Sequence, residues 1–223
     1  MEKTKKQKQK GINEMNFLQG KTVLLAGFIV ATAVSAPIAH AALSAPSTLT
    51  QVIDDGTAST DIRDGSGNVI SSPTIGMNST ILSTSQQTTT GTFGAATQRV
   101  TVDNPGGANN GWSLALNATT PGTARWTSSG NNYQYNGTAA TGQLTVNPSS
   151  GTITPVVGGA TGVSLGTSSA FTSTNAITLV TASAASADIW NGYVTGIGLS
   201  QTIPANQPAG TYTLSMTQTL TVL

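Results

Sequence analysis

The chain has 223 residues, no cysteine, 8% charged residues and a formal net charge of +1. No disulfide framework holds it together, and no overall charge surplus points to a strongly charged partner. The charge is unevenly placed, because all six lysines, both glutamates and the single histidine lie at or before His40.

Lys3, Lys5, Lys6, Lys8, Lys10 and Lys21 form a basic leader, and Thr22 to Val34 reads TVLLAGFIVATAV, uncharged and apolar. A membrane span needs about 20 apolar residues, so this run is too short to be one. Ser35-Ala36-Pro37 and then Ala39-His40-Ala41 follow, a small-x-small cleavage pattern. The pattern predicts a signal peptide over residues 1–41, cut after Ala41; the other reading is an uncleaved signal anchor. Residues 42–223 are then one domain, long enough to bury most of its apolar surface without staples. This body keeps Arg63, Arg99 and Arg125 against Asp54, Asp55, Asp61, Asp64, Asp103 and Asp188. A weakly acidic body with three scattered arginines carries no electrostatic footprint for nucleic acid. No cysteine follows the apolar run, which excludes a lipoprotein anchor. The chain ends in TLTVL, so neither a spanning tail nor covalent wall sorting is expected in the mature form. The expected location is extracellular, at the cell surface.

Along the body, Thr48 to Ile53 and Val69-Ile70 are faint strand signals. Clearer ones follow. Val100 and Val102 alternate with polar neighbours, as do Trp112, Leu114 and Leu116, then Leu144 and Val146, then Ile177 and Leu179. From Tyr212 one face reads Tyr212, Leu214, Met216, Gln218, Leu220, Val222 and the other is threonine and serine. Strict period-two alternation of this kind means a half-buried strand. Turn signals stand at Asp64–Asn68, Asn104–Gly107, Asn147–Gly151 and Pro208–Gly210,. The Asn147–Gly151 turn joins GQLTV to TITPV and predicts a hairpin. Ala182 to Ile189, ASAASADI, is the single helix candidate. Many short strands between frequent turns predict an all-β fold, an antiparallel β-sandwich of Ig-like or Greek-key type.

The residue inventory narrows the chemistry. General acid–base work draws on His, Glu, Asp or Lys, and the body keeps only Asp. A serine nucleophile needs a His or Lys base, and neither is there. Aspartate pairs such as Asp54-Asp55 or Asp61/Asp64 could serve a glycosidase, but adjacent extended residues point to opposite faces. The expectation is a protein that is not an enzyme and uses no cofactor. Asp61, Asp64 and Asn68 could offer oxygen ligands to calcium, yet they lack the spaced acids and closing Glu of an EF-hand loop; a β-turn is the other reading. Trp126, Tyr133 and Tyr135 lie in RWTSSGNNYQYNG. Aromatic rings beside Asn and Gln suit stacking on the apolar faces of sugars, and they equally suit a loop folded over its own rings. Trp190-Asn191-Gly192-Tyr193 admits the same two readings. Trp112 is in phase with Leu114 and Leu116, which favours a core position.

Gly111-Trp112-Ser113-Leu114 resembles the first Trp-x-Leu motif of WxL-domain proteins. Ile203-Pro204-Ala205-Asn206 and Ala209-Gly210-Thr211-Tyr212-Thr213 resemble the approach to the second motif, and Asp103-Asn104 and Gly142 to Pro148 add to the likeness. The likeness spans roughly residues 48–223. It implies an exported bacterial surface protein that attaches non-covalently to the cell wall, with Trp112, Leu114 and Leu220 carrying the signature. Where the second Trp would stand this chain has Gln218, in Gln218-Thr219-Leu220. The expected partner is cell-wall polysaccharide or peptidoglycan, with other surface proteins as further candidates. The alternative is a self-associating subunit of a surface layer or fibre, built through long Thr-rich strand edges.

Overall fold

A computed structural model describes residues 48–106 and 110–223. The expected signal peptide lies outside the described residues. The unit from Gln51 to Leu223 is all-β. In chain order its strands are β1 (Ser59–Arg63), β2 (Gln87–Phe93), β3 (Arg99–Asn104), β4 (Trp112–Ala118), β5 (Trp126–Ser128), β6 (Asn131–Tyr133) and β7 (Leu144–Asn147). There follow β8 (Thr152–Val157), β9 (Val163–Leu165), β10 (Ser169–Ala170), β11 (Ile177–Ala182), β12 (Trp190–Thr195), β13 (Ile197–Ile203) and β14 (Met216–Val222).

These strands form an antiparallel β-sandwich. Three four-stranded sheets run β1-β3-β12-β8, β10-β7-β13-β2 and β14-β4-β11-β9, and β5 and β6 make a small ribbon. Every strand pairing is antiparallel. The alternation read from sequence is what buries each strand. In β4, Trp112, Leu114, Leu116 and Ala118 are buried while Ser113, Ala115 and Asn117 are half-buried. From Thr211 to Thr221 the threonines and Ser215 are exposed, and Tyr212, Leu214, Met216, Gln218 and Leu220 turn inward.

The buried side chains of all three sheets join one core, with Trp112, Trp190, Tyr135 and Phe171 its largest members. Trp112 of β4 meets Trp190 of β12 with ring centroids 5.1 Å apart, so two sheets are keyed together by aromatic contact,. The Trp190 indole N–H donates to the Gly159 carbonyl at 2.8 Å. Gly111 makes the entry to β4 possible: its φ is +85°, and a Cβ would stand 2.3 Å from the Ala182 carbonyl oxygen,.

Four local expectations need correction. Thr48 to Ile53 forms no strand; Leu49, Val52 and Ile53 are exposed, so no apolar face is there to anchor pairing. Val69 makes only an isolated bridge to Arg63. Ala182 to Ile189 is not helical: Ala182 ends β11, and a turn closed by Ser186 N–H to Ser183 carbonyl follows. Asn147–Gly151 does not close a hairpin. It is a 3-10 turn over Pro148–Ser150 that carries the chain from β7 in one sheet to β8 in another.

Candidate functional site

The β5–β6 ribbon turns at Ser129 and Gly130, whose φ values are +47° and +90°. Two left-handed residues in a two-residue loop make the turn whose twist suits a tight hairpin. Its register sets Trp126 directly opposite Tyr133. Their rings stack with centroids 6.1 Å apart and planes 14° from parallel. Thr127 then exchanges two backbone hydrogen bonds with Thr213, each 3.0 Å. This docks the ribbon on the segment leading into β14 and brings the Tyr212 ring to 5.2 Å from Tyr133.

Trp126 and Tyr212 are fixed by polar partners. The Trp126 indole N–H donates to Gln201 Oε1 at 2.8 Å. Gln201 is fully buried in β13, and its Nε2 donates to the carbonyls of Thr202 at 2.7 Å and Gln134 at 3.3 Å. The Tyr212 hydroxyl accepts from Gln207 Nε2 at 2.7 Å and donates to the Pro208 carbonyl at 2.8 Å. Burial, with a smaller effect from neighbouring Tyr212, pushes the Tyr133 phenol up to about 12. It therefore stays neutral rather than becoming an anion.

These rings wall a cleft of about 630 Å³. Its opposite wall is the 73–83 loop, and Gln207 to Leu214 line it beside the rings. The loop is bound down on β2: Asn78 N–H donates to the Thr90 carbonyl at 2.7 Å, Asn78 Nδ2 donates to Thr90 Oγ1 at 2.9 Å, and the Thr89 hydroxyl donates to the Asn78 carbonyl. Gly91 permits this approach, because a Cβ there would lie 2.7 Å from Met77 Sδ and 2.9 Å from the Gly76 carbonyl oxygen. None of the lining residues is charged. A second, apolar cavity of about 250 Å³ adjoins it, sharing Pro73, Ile75, Met77, Trp126 and Leu214 as walls.

The residues singled out from sequence fall into two groups. Trp126 and Tyr133 reach the cleft. Trp112, Leu114 and Tyr135 do not: all three are fully buried, so none offers a ring face or surface to a ligand. Tyr135 packs edge-on to Phe171 at 5.3 Å and donates its hydroxyl to the Pro121 carbonyl at 3.2 Å. Leu220 is half-buried and registers opposite Leu114, so the two signature leucines are cross-strand neighbours,. Trp190 is buried, and the Tyr193 ring lies 4.5 Å under the Arg99 guanidinium.

The calcium candidates act as a turn. Asp64 Oδ1 accepts the backbone N–H groups of Ser66 at 2.8 Å and Asn68 at 2.9 Å, and its Oδ2 accepts Asn68 Nδ2 at 3.1 Å. Those bonds, the Asn68 side chain first, hold its pKa below the ordinary carboxylate value. Asp61 instead pairs with Arg63 at 3.0 Å. Among the described residues no three His, Cys, Asp or Glu side chains come together. Gln201, Gln207 and the 73–83 loop escaped the sequence reading, and Tyr212 was read there as a strand residue rather than a binding one. Their only sequence signals were Pro208–Gly210 ahead of Tyr212 and a glycine, Gly91, inside a threonine-rich strand.

Among the described residues no helix is long and apolar enough to cross a membrane. No protein-family model, no curated protein and no solved structure matches the chain.

Proposed function

We propose that this chain is an exported, non-catalytic bacterial surface protein that binds cell-wall glycan, peptidoglycan above all, without covalent attachment. The observation that carries the reading is the uncharged cleft walled by Trp126, Tyr133 and Tyr212. Rings supply flat apolar faces for sugar C–H groups, and the Asn78, Gln207 and threonine side chains at the walls supply donors and acceptors,. The likeness to WxL-domain proteins points the same way, although its Trp112 and Leu114 pack inside rather than at the cleft. The leader pattern supports export, and the lack of His, Lys, Glu and Cys after residue 41 supports binding without catalysis,.

The test is retention of the full chain on purified peptidoglycan. Tyr212→Ala, on the rim, is expected to lower retention about tenfold, the order of one lost ring contact. Equal retention of both proteins, or none of either, contradicts the reading. A surface-layer or fibre subunit is the second reading, favoured by β14: among the described residues its outer edge carries no partner strand, and Thr217, Thr219 and Thr221 are exposed along it. Light scattering that finds a monomer at high concentration would rule it out.

A further inference from the structure

The aromatic cleft does not end at its own walls. The apolar cavity of about 250 Å³ adjoins it, and Pro73, Ile75, Met77, Trp126 and Leu214 line both. Exposure falls from one end of this cavity to the other. At the shared end Pro73 is exposed, and Ile75, Met77, Trp126 and Leu214 are half-buried. At the other end Ile62, Phe93, Leu116 and Leu144 line the cavity alone, and all four are buried. The mouth therefore lies at the cleft and the floor lies in the core.

The walls suit hydrocarbon. Apart from the Gln218 amide and the Trp126 indole, every lining side chain is apolar. The indole N–H is held by Gln201 Oε1 at 2.8 Å, Gln218 Nε2 is held by Thr60 Oγ1 at 2.9 Å, and Gln218 Oε1 is buried. An apolar cavity of this kind stays dry and takes up hydrocarbon. A cavity of ~150 Å³ admits the six carbons of benzene, so about 250 Å³ houses roughly eight to ten,.

The geometry points to a ligand with two parts, a sugar that carries a short aliphatic chain as an alkyl or acyl substituent. The sugar ring lies in the cleft against the aromatic side chains, and the chain enters the cavity past the residues that line both. This rests on the glycan reading and narrows it to sugars with such a substituent. Neither the cleft nor the cavity is lined by a charged residue, so no charged group on the ligand is called for. The floor limits the chain to a short one, which assigns it to a substituted glycan rather than to the long tails of a membrane lipid.

Calorimetric titration of the full chain with methyl and octyl N-acetyl-β-glucosaminide, below the micelle concentration, tests it. Seven CH2 groups separate the probes, and each one buried is worth about fourfold. Burial of only half of them makes octyl bind about hundredfold more tightly than methyl, which is the expected result. Met216→Trp fills the cavity from a residue that does not line the cleft, and it is expected to erase the octyl advantage. Leu199→Phe, on another wall of the cavity alone, repeats the comparison should the first variant lose its folded circular dichroism signal. Vesicles of a long-chain glycosyl diacylglycerol are expected to leave the protein in solution. Equal affinity for the two probes, or an octyl advantage that survives both variants, overturns the inference; if peptidoglycan still retains the protein, the glycan reading stands without it. No binding of either probe together with no retention on peptidoglycan overturns both. Capture on the vesicles overturns the assignment to a short substituent.

Discussion

Trp112 and Trp126 show how differently one residue type can be used in this chain. Trp112 has no exposed surface and keys two sheets together through Trp190. Trp112→Ala is expected to destabilise the fold by about 3–5 kcal/mol, read from denaturant midpoints, because the cavity left cannot close around so large a loss. Trp126→Phe keeps a ring at the cleft wall but leaves the Oε1 of fully buried Gln201 without that donor, so it should cost folding about 1–3 kcal/mol besides weakening binding,. Tyr133 makes a pH prediction. The folded protein holds its phenol proton up to about 12, against 10.0 when unperturbed. The stabilisation is therefore complete below about pH 10 and is lost as pH rises toward 12, on the order of 2 kcal/mol. Tyr133→Phe should shrink that alkaline loss in thermal melts across pH 9–12. It should not remove it, since burial raises the Tyr135 phenol too. At this scale alternation placed Trp112 correctly, because its phase with Leu114 and Leu116 is a local signal. It could not separate Tyr133 from Tyr135. Both alternate with polar residues, and only the long-range docking of Thr127 on Thr213 sends one to the cleft and the other beneath Pro121.

The crossover at Asn147–Gly151 decides which strands become neighbours. Ser150 fastens it: its one hydroxyl proton is shared between the carbonyls of Asn147 at 2.8 Å and Gly196 at 2.9 Å, and its oxygen accepts the Gly198 N–H at 2.8 Å,. The crossover is thus bound to the β12–β13 corner, where the chain likewise passes between the two sheets. Pro-Ser-Ser-Gly announced a turn, but a turn motif does not specify which sheet receives the next strand. That choice belongs to tertiary pairing, here β8 with β12 and β7 with β13. Strand existence was legible wherever alternation ran for several residues, as in β3, β4, β7 and β14. It was illegible in β2 and β13, whose threonines, serines and glycines carry no strong apolar phase. Hydrogen exchange should follow the pairing. Amides of β3, β4, β7, β11, β12 and β13, in strands paired on both sides, are expected to exchange most slowly,. Those of β10, two residues long and paired on one side, should exchange fastest among the strands. Slow exchange in β10 with fast exchange in β13 would mean the strand order is wrong. Pro155 belongs at this scale too: it lies in the edge strand β8, where a missing N–H costs no ladder bond on the open side and blunts pairing with another chain,.

Across the whole molecule, charge is nearly absent from the places where binding would occur. None of the three arginines lines the cleft, whose walls carry no ionisable acid or base apart from the two tyrosines. Binding there should therefore be almost indifferent to ionic strength, since screening acts on charges. Retention on peptidoglycan is expected to be equal in 50 and 500 mM salt, to take two round conditions on the order of those that separate screened from unscreened charge. A steep loss would place recognition on the arginines instead. The sandwich and its single core were legible in the sequence because they follow from composition and period-two patterning. The cleft was not, because it is assembled from segments distant in sequence: residues 73–83, Gln87 and Thr89 of β2, the β5–β6 ribbon, the end of β13 and residues 207–214.

The most direct test of glycan binding is tryptophan fluorescence of the full chain titrated with soluble peptidoglycan fragments. Trp112 and Trp190 are buried, so the ligand-dependent signal should come from Trp126. Saturable quenching that disappears in Trp126→Phe is the predicted result. Emission that stays unchanged through the titration, or quenching that persists in Trp126→Phe, would contradict the account.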